Sequence, residues 1–259
     1  MKLSIFQIDA FTNQLFRGNP AAICPLDNWL PDDLLQNIAA ENNLAETAFF
    51  VREAEGYHLR WFTPTVEVDL CGHATLAAAW VILNELDLSA TSVNFRSRGG
   101  PLAVSKTGDL YTLDFPSHKP ERQPDNPRLE EALGTKIAEV WAARDTMALL
   151  ESEAAVRALN PDFEKLKEIT GFGFIATAAS NEYDFVSRFF APAQGINEDP
   201  VTGSAHCILA PFWAERLGKD SLRAFQASAR GGEVLCRVNG DRVELSGYGV
   251  KYLEGTISV

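Results

Sequence analysis

Hydrophobic positions along this 259-residue chain change period from stretch to stretch, and each period predicts an element. Lys2–Phe11 alternates apolar with polar, the period of a strand, and turns at Gly18-Asn19-Pro20 into a second strand, Ala21–Cys24. Leu34, Leu35 and Ile38 make an apolar stripe behind Pro31, Asp32 and Asp33, a helix start, and Asn42-Asn43 ends that helix. Leu44–Val51 reads as an apolar strand with one carboxylate, Glu46. The aromatic strand Tyr57–Phe62 breaks at Thr63-Pro64, because proline cannot continue a ladder. After Gly72-His73, the run Ala74–Leu83 is apolar on every side. A helix without a polar face is a buried one, so this helix is expected to be the axis of a domain core. Thr91–Ser97 and Leu102–Phe115, turning at Gly99-Gly100 and Gly108-Asp109, read as an antiparallel meander.

The plan then recurs. Strands near Val140–Leu150, a helix over Pro161–Ile169, strands Phe174–Ala178 and Arg188–Phe190, a buried helix from Ser204 to Leu217 stopped by Gly218, and a hairpin Glu233–Leu245 follow in that order. Individual residues echo as well. Arg60-x-Phe62-x-Pro64 returns as Arg188-x-Phe190-x-Pro192, Thr47-Ala48 as Thr177-Ala178, and Asp69 as Asp199. Gly72-His73-Ala74 returns as Gly203-Ser204-Ala205, and Arg98-Gly99-Gly100 as Arg230-Gly231-Gly232. A consistent order at nearly constant spacing argues for a duplicated domain. The expected fold is α/β (α+β) with two quasi-symmetric domains, each a curved, mostly antiparallel sheet around a central apolar helix, and an active site between them. The first domain spans residues 1–115 and the second 128–249. Residues 116–127, with four prolines, have the composition of a linker, and the tail 250–259 has no counterpart and is expected to pair back onto the first domain.

Composition narrows the function. A net charge of −12 and 46% hydrophobic residues describe a globular, acidic protein and argue against nucleic acid or an anionic membrane as partner. The N-terminus lacks the pattern of a signal peptide, and no apolar run is long enough for a bilayer. The four cysteines (Cys24, Cys71, Cys207, Cys236) form no C-x-x-C and are expected as reduced thiols in a cytoplasm.

A duplication shows which polar residues the scaffold does not need. In the Thr47/Thr177 register Glu46 stands opposite Ala176. Two readings stand open. In apolar surroundings Glu46 would have a raised pKa and suit a group that takes a proton and returns it; alternatively it lies on the solvent face of an edge strand. His73 and Ser204 are equivalents at the two helix starts, where each either caps the helix or faces a ligand held by the positive dipole end. Asp69 suits that dipole alone, whereas Asp199 is placed on a longer loop able to enter a cleft. His58, His118 and His206 read as structural, and no pair of histidines has metal-ligand spacing. Gly171-x-Gly173-x-x-Ala176 follows a helix and enters a strand, the reverse of a dinucleotide-binding turn.

Three motifs carry a family resemblance: Leu44-Ala45-Glu46-Thr47-Ala48-Phe49, Asp69-Leu70-Cys71-Gly72-His73-Ala74-Thr75, and Asp199-Pro200-Val201-Thr202-Gly203-Ser204-Ala205. With them the chain resembles the PhzF-like, phenazine-biosynthesis family, relatives of diaminopimelate epimerase. The resemblance implies an isomerase without cofactor or metal, a homodimer, and a small carboxylate substrate. It gives Glu46 the acid/base role, and Gly72, His73, Asp199, Gly203 and Ser204 the binding of substrate. The family's reaction moves a proton between ring carbons of trans-2,3-dihydro-3-hydroxyanthranilate. The related epimerases use two opposed thiols; here Cys71 has no counterpart in the second motif. An amino-acid epimerase using Cys71 and Glu46, and a non-catalytic binding protein on the same fold, are the alternatives.

Overall fold

The computed structural model describes residues 1–259. The chain divides into two units, Met1–Asp114 with Ser246–Val259, and Phe115–Leu245.

The first unit runs β1 (Lys2–Ala10), β2 (Asn19–Leu26), α1 (Asp32–Asn42), β3 (Glu46–Glu53), β4 (Gly56–Phe62), β5 (Glu67–Val68), α2 (Gly72–Val81), β6 (Ser92–Ser97), β7 (Gly100–Thr107) and β8 (Leu110–Pro116). β1 pairs antiparallel with β2, β2 parallel with β3, and β3 antiparallel with β4, while β6, β7 and β8 form the meander. Two consequences bear on function. β3 is flanked on both sides, so Glu46 is not on an edge strand. The parallel register Ala21↔Glu46 also sets the beginnings of β2 and β3 side by side. α2 is buried along almost its whole length, as its apolar sequence requires, and it packs on β1, β2 and β3. α1 closes the other face over Leu35, Ile38, Phe49 and Phe62.

The second unit runs β9 (Glu121–Gln123), α3 (Pro127–Leu133), β10 (Glu139–Ala142), β11 (Thr146–Leu149), α4 (Glu153–Arg157), α5 (Phe163–Lys167), β12 (Phe174–Ala179), β13 (Phe185–Ala191), β14 (Ile196–Asp199), α6 (Gly203–Leu217), β15 (Ser221–Gln226), β16 (Gly232–Asn239) and β17 (Arg242–Gly247). β9 falls within the proline-rich stretch and pairs with β10. β11 and β12 are parallel, the same relation as β2 and β3, and Ala148↔Ala176 takes the place of Ala21↔Glu46. The helix expected over Pro161–Ile169 is shorter. Asp162 caps it by accepting from the amides of Glu164 and Lys165, and it is preceded by two short helices that the hydrophobic pattern did not announce. α6 is the second buried axis and carries Pro211 inside it. A proline leaves the carbonyl four residues earlier without its helical donor; here the His118 amide donates to that carbonyl, of Cys207, at 3.0 Å. β18 (Gly249–Ser258) belongs to the first unit and pairs antiparallel with β1 along its length, Lys2↔Ser258 to Ala10↔Gly249.

The repeated Arg-x-Phe-x-Pro motif has the same structural task in both units. The Arg60 guanidinium donates to both oxygens of Glu67 at 2.7 and 2.9 Å, and that of Arg188 to both oxygens of Glu198 at 2.7 and 2.9 Å. Each guanidinium lies 5.1 Å from a ring, Phe62 or Phe190. A rigid two-pronged donor on a carboxylate is a geometry that arginine supplies and lysine cannot. It fastens β4 to β5 and β13 to β14, the strands that lead into α2 and α6.

One buried group works against stability. Asp145, in the turn between β10 and β11, is 1% exposed and neither carboxylate oxygen has a hydrogen-bond partner. Burial raises its pKa against the opposing pull of Arg144 and His118. A carboxyl that holds its proton more tightly when folded costs nothing below its unfolded pKa; the cost grows as pH rises towards the folded value. Asp145→Asn should therefore melt above the parent at about pH 7 and gain nothing at about pH 3, where both states hold the proton. Thermal melts across that range check it.

Candidate active site

In the first unit three strand and helix starts converge. β3 begins with Glu46, α2 follows Cys71 and carries His73 as its second residue, and β2 begins with Asn19. Asn19 is placed by the turn before it. Gly18 has φ +63°, and a Cβ there would lie 2.1 Å from the carbonyl oxygen of Ala10, so only glycine fits. Pro20 then holds Asn19 extended at the start of the strand.

Glu46 is 9% exposed, His73 4% and Asn19 0%. His73 Nε2 stands 3.1 Å from Glu46 Oε2, an ion-pair distance, although neither atom has an aligned hydrogen bond. On the other edge of the ring, Nδ1 is 3.1 Å from Asn19 Nδ2 and 3.5 Å from Cys71 Sγ. Burial disfavours the charged imidazole, but Cys71 and Glu46 outweigh it, and the pKa of His73 stands well above the ordinary 6.5. Burial, and then the charge of Glu46, push the Cys71 thiol up to about 11. The Asn19 amide can serve both forms of the ring: it donates to Nδ1 of the neutral imidazole and, turned end for end, accepts from Nδ1–H of the cation. A site that exchanges a proton needs neighbours that tolerate either state.

Glu46 is buried and β3 is flanked on both sides, which corrects the reading that placed it on the solvent face of an edge strand. The capping role for His73 and Ser204 is also corrected. The N-caps are Cys71 and Thr202, one residue before each helix, and neither makes a side-chain capping bond. His73, in the first turn, is free to face the carboxylate, and Ser204 is half-buried at the matching place in α6. Gly72 and Gly203 are the first helical residues, so the amides around them sit at the positive ends of buried helices.

In the second unit Asp199 is not on a loop but closes the short strand β14, and it is 9% exposed. It accepts the Thr202 hydroxyl at 2.5 Å. Fully buried Gln226 locks this turn: its Oε1 accepts from the Thr202 amide at 2.8 Å, and its Nε2 donates to the Asp199 carbonyl at 2.7 Å. Asp69, the counterpart of Asp199, is exposed and paired with Arg98 at 3.0 Å, an ordinary surface contact. His206 packs as expected: its Nδ1 donates to the Thr202 carbonyl at 2.8 Å, and burial pushes its pKa down to about 4. Asn19 and Gln226 escaped the hydrophobic pattern. The signal for each was present: an amide in step with the buried apolar positions of its strand has to find a polar partner.

No helix is long and apolar enough to cross a membrane. Residues 8–255 match the family described as phenazine biosynthesis-like protein. A protein of Pseudomonas aeruginosa named an uncharacterised isomerase is 52% identical over 257 residues, covering 99% of each chain. A crystal structure of a PhzF-family phenazine biosynthesis protein from Enterococcus faecalis superposes with a TM-score of 0.98 at 48% identity over 100% of both chains. A predicted epimerase of Pseudomonas aeruginosa, 16% identical, superposes with a TM-score of 0.78 over 99% of both chains, which extends the likeness of fold to epimerases. The chain belongs to the phenazine biosynthesis-like, or PhzF, family.

Proposed function

We propose that the chain is an isomerase that moves a proton between carbons of a small carboxylate metabolite, using only its own side chains as acid and base. One observation carries this reading: a buried glutamate, whose place in the second copy is taken by Ala176, stands 3.1 Å from a histidine in the first turn of a buried helix. Glu46 as carboxylate takes a proton from a C–H beside an electron-withdrawing group. The electron pair left behind moves through the adjoining double bond, and the protonated Glu46 returns the proton to a different carbon. His73 holds the carboxylate in place and balances its charge before and after the transfer. The amides at Gly72 and Gly203, with Asp199 and Ser204, are the proposed contacts that hold and orient the anionic substrate. The chemistry is redox-neutral, and the enzyme ends in the state in which it began. The isomerase names of the relatives agree with this class.

A second reading draws on Cys71, which lies 3.5 Å from the other nitrogen of His73. Cys71 and Glu46 would then act on one carbon from two sides, as in an epimerase. The products separate the two. An isomerase carries the proton to a new carbon, whereas an epimerase inverts the carbon it exchanges.

Screening small carboxylates in D₂O by proton NMR tests the proposal. Turnover should introduce deuterium at carbon, and Glu46→Gln, which keeps the volume but cannot accept a proton, should lose about 10²–10⁴-fold in rate while still binding substrate. Undiminished exchange in Glu46→Gln would move the base elsewhere, and Cys71→Ala would then be the variant to measure.

Asn19 acts through His73, so it is a positioning residue. Asn19→Leu should fold but lower kcat by roughly tenfold, the value of about one buried hydrogen bond. Asn19→Asp, placing a second charge beside the ring, should shift the pH–rate profile towards higher pH. A merely structural role would change the melting temperature and leave that profile in place.

A further inference from the structure

The three side chains around the proton-transfer site are also a donor set. A carboxylate oxygen of Glu46, a ring nitrogen of His73 and Cys71 Sγ all lie within 4.8 Å of one another, and all three residues are buried. Two of those atoms, Glu46 Oε2 and His73 Nε2, have no aligned hydrogen bond. They point towards each other from residues that are more than nine-tenths buried. We propose that this cluster binds one borderline-soft divalent cation, of which zinc is the type, and that the ion competes with substrate for Glu46. The location rests on the function proposed above; the binding does not.

Zinc takes thiolate sulfur at about 2.3 Å and imidazole nitrogen or carboxylate oxygen at about 2.0–2.2 Å, so its ligand atoms stand roughly 3.3–3.8 Å apart in a tetrahedron. With the ion on Nε2, one separation already falls near that range, 3.1 Å between His73 Nε2 and Glu46 Oε2. Glu46 and Cys71 face different ring nitrogens, so the Cys71 side chain has to turn from the Nδ1 edge towards Nε2 to complete the set. The Asn19 amide, against Nδ1, then supplies the outer hydrogen bond that a metal-bound histidine requires. Three protein ligands leave the fourth position to water. The thiol and the His73 imidazolium each give a proton to solvent as the ion binds. A sulfur donor selects zinc, cadmium or cobalt over magnesium and calcium. The duplicated domain provides an internal control. In α6 the residues matching Cys71 and His73 are Thr202 and Ser204, and Ala176 matches Glu46, so the second copy offers no such set and the stoichiometry is one.

Cobalt(II) chloride titrated into the whole protein under nitrogen tests this. One equivalent should produce the near-ultraviolet band of a thiolate-to-cobalt transition. Zinc should displace it, and magnesium should not. Cys71→Ser should abolish the band, whereas Cys24→Ser should leave it. Glu46→Gln and Asn19→Leu should weaken zinc binding by about tenfold or more. Cadmium NMR of the unaltered protein, showing one sulfur among nitrogen and oxygen ligands, gives the donor set without relying on any variant's folding. Absence of the band and of a cadmium signal, a band that survives Cys71→Ser, or a stoichiometry above one would overturn the proposal. Deuterium exchange without cobalt binding would sink the metal site and keep the isomerase; cobalt binding without exchange would do the reverse.

Discussion

The proposed chemistry depends on keeping one carboxylate, that of Glu46, out of water. A glutamate at the start of an inner strand is costly unless something balances its charge. The balance comes from His73, 3.1 Å away in the first turn of α2, and from the positive end of that helix. α2 supplies this end because it is apolar on all sides and packs as the axis of its unit. Its first turn therefore sits at core depth, where partial charges on the backbone act with little screening. The burial that makes the helix a good core also makes its N-terminus a strong electrostatic element.

The duplicated chain shows how scaffold and chemistry are kept separate. Both copies retain the arginine–glutamate fork that fastens the strands leading into the buried helix, with matching distances. Both retain a parallel strand pair at the same register. Only one copy carries the glutamate, the imidazole and the thiol. The other has Ala176, Ser204 and Thr202, and its polar atoms are tied into a closed turn by Gln226. One helix start carries the residues proposed to move the proton, and the other is a turn closed by Gln226 beside Asp199 and a half-buried serine.

Much of this was legible in the sequence, for physical reasons. Apolar runs without a polar face announced both buried helices, and the asymmetry between Glu46 and Ala176 singled out the residue that the fold does not need. What could not be read was lateral strand order. Whether Glu46 faced solvent depended on which strands flank β3, and that is decided by pairings between residues far apart in the chain. The same limit hid Asn19, which reads locally as part of a Gly-Asn-Pro turn and acquires its role only when α2 brings His73 to it. Asp199 was misplaced because Gly195 and Pro200 suggest a loop, whereas pairing with Phe189 makes a strand. The helix caps shifted by two residues for a similar reason: Thr202 Oγ1 donates to Asp199 instead of accepting from α6.

The central claim is that Cys71 and Glu46, on the two edges of the ring, together raise the pKa of His73 against burial. Nitrogen-15 NMR of the imidazole, followed through a pH titration in the parent protein and in Glu46→Gln, measures this directly. The account predicts a His73 midpoint above the ordinary 6.5 in the parent, and a lower one in the variant, where Cys71 alone opposes burial. Equal midpoints in the two proteins would contradict it.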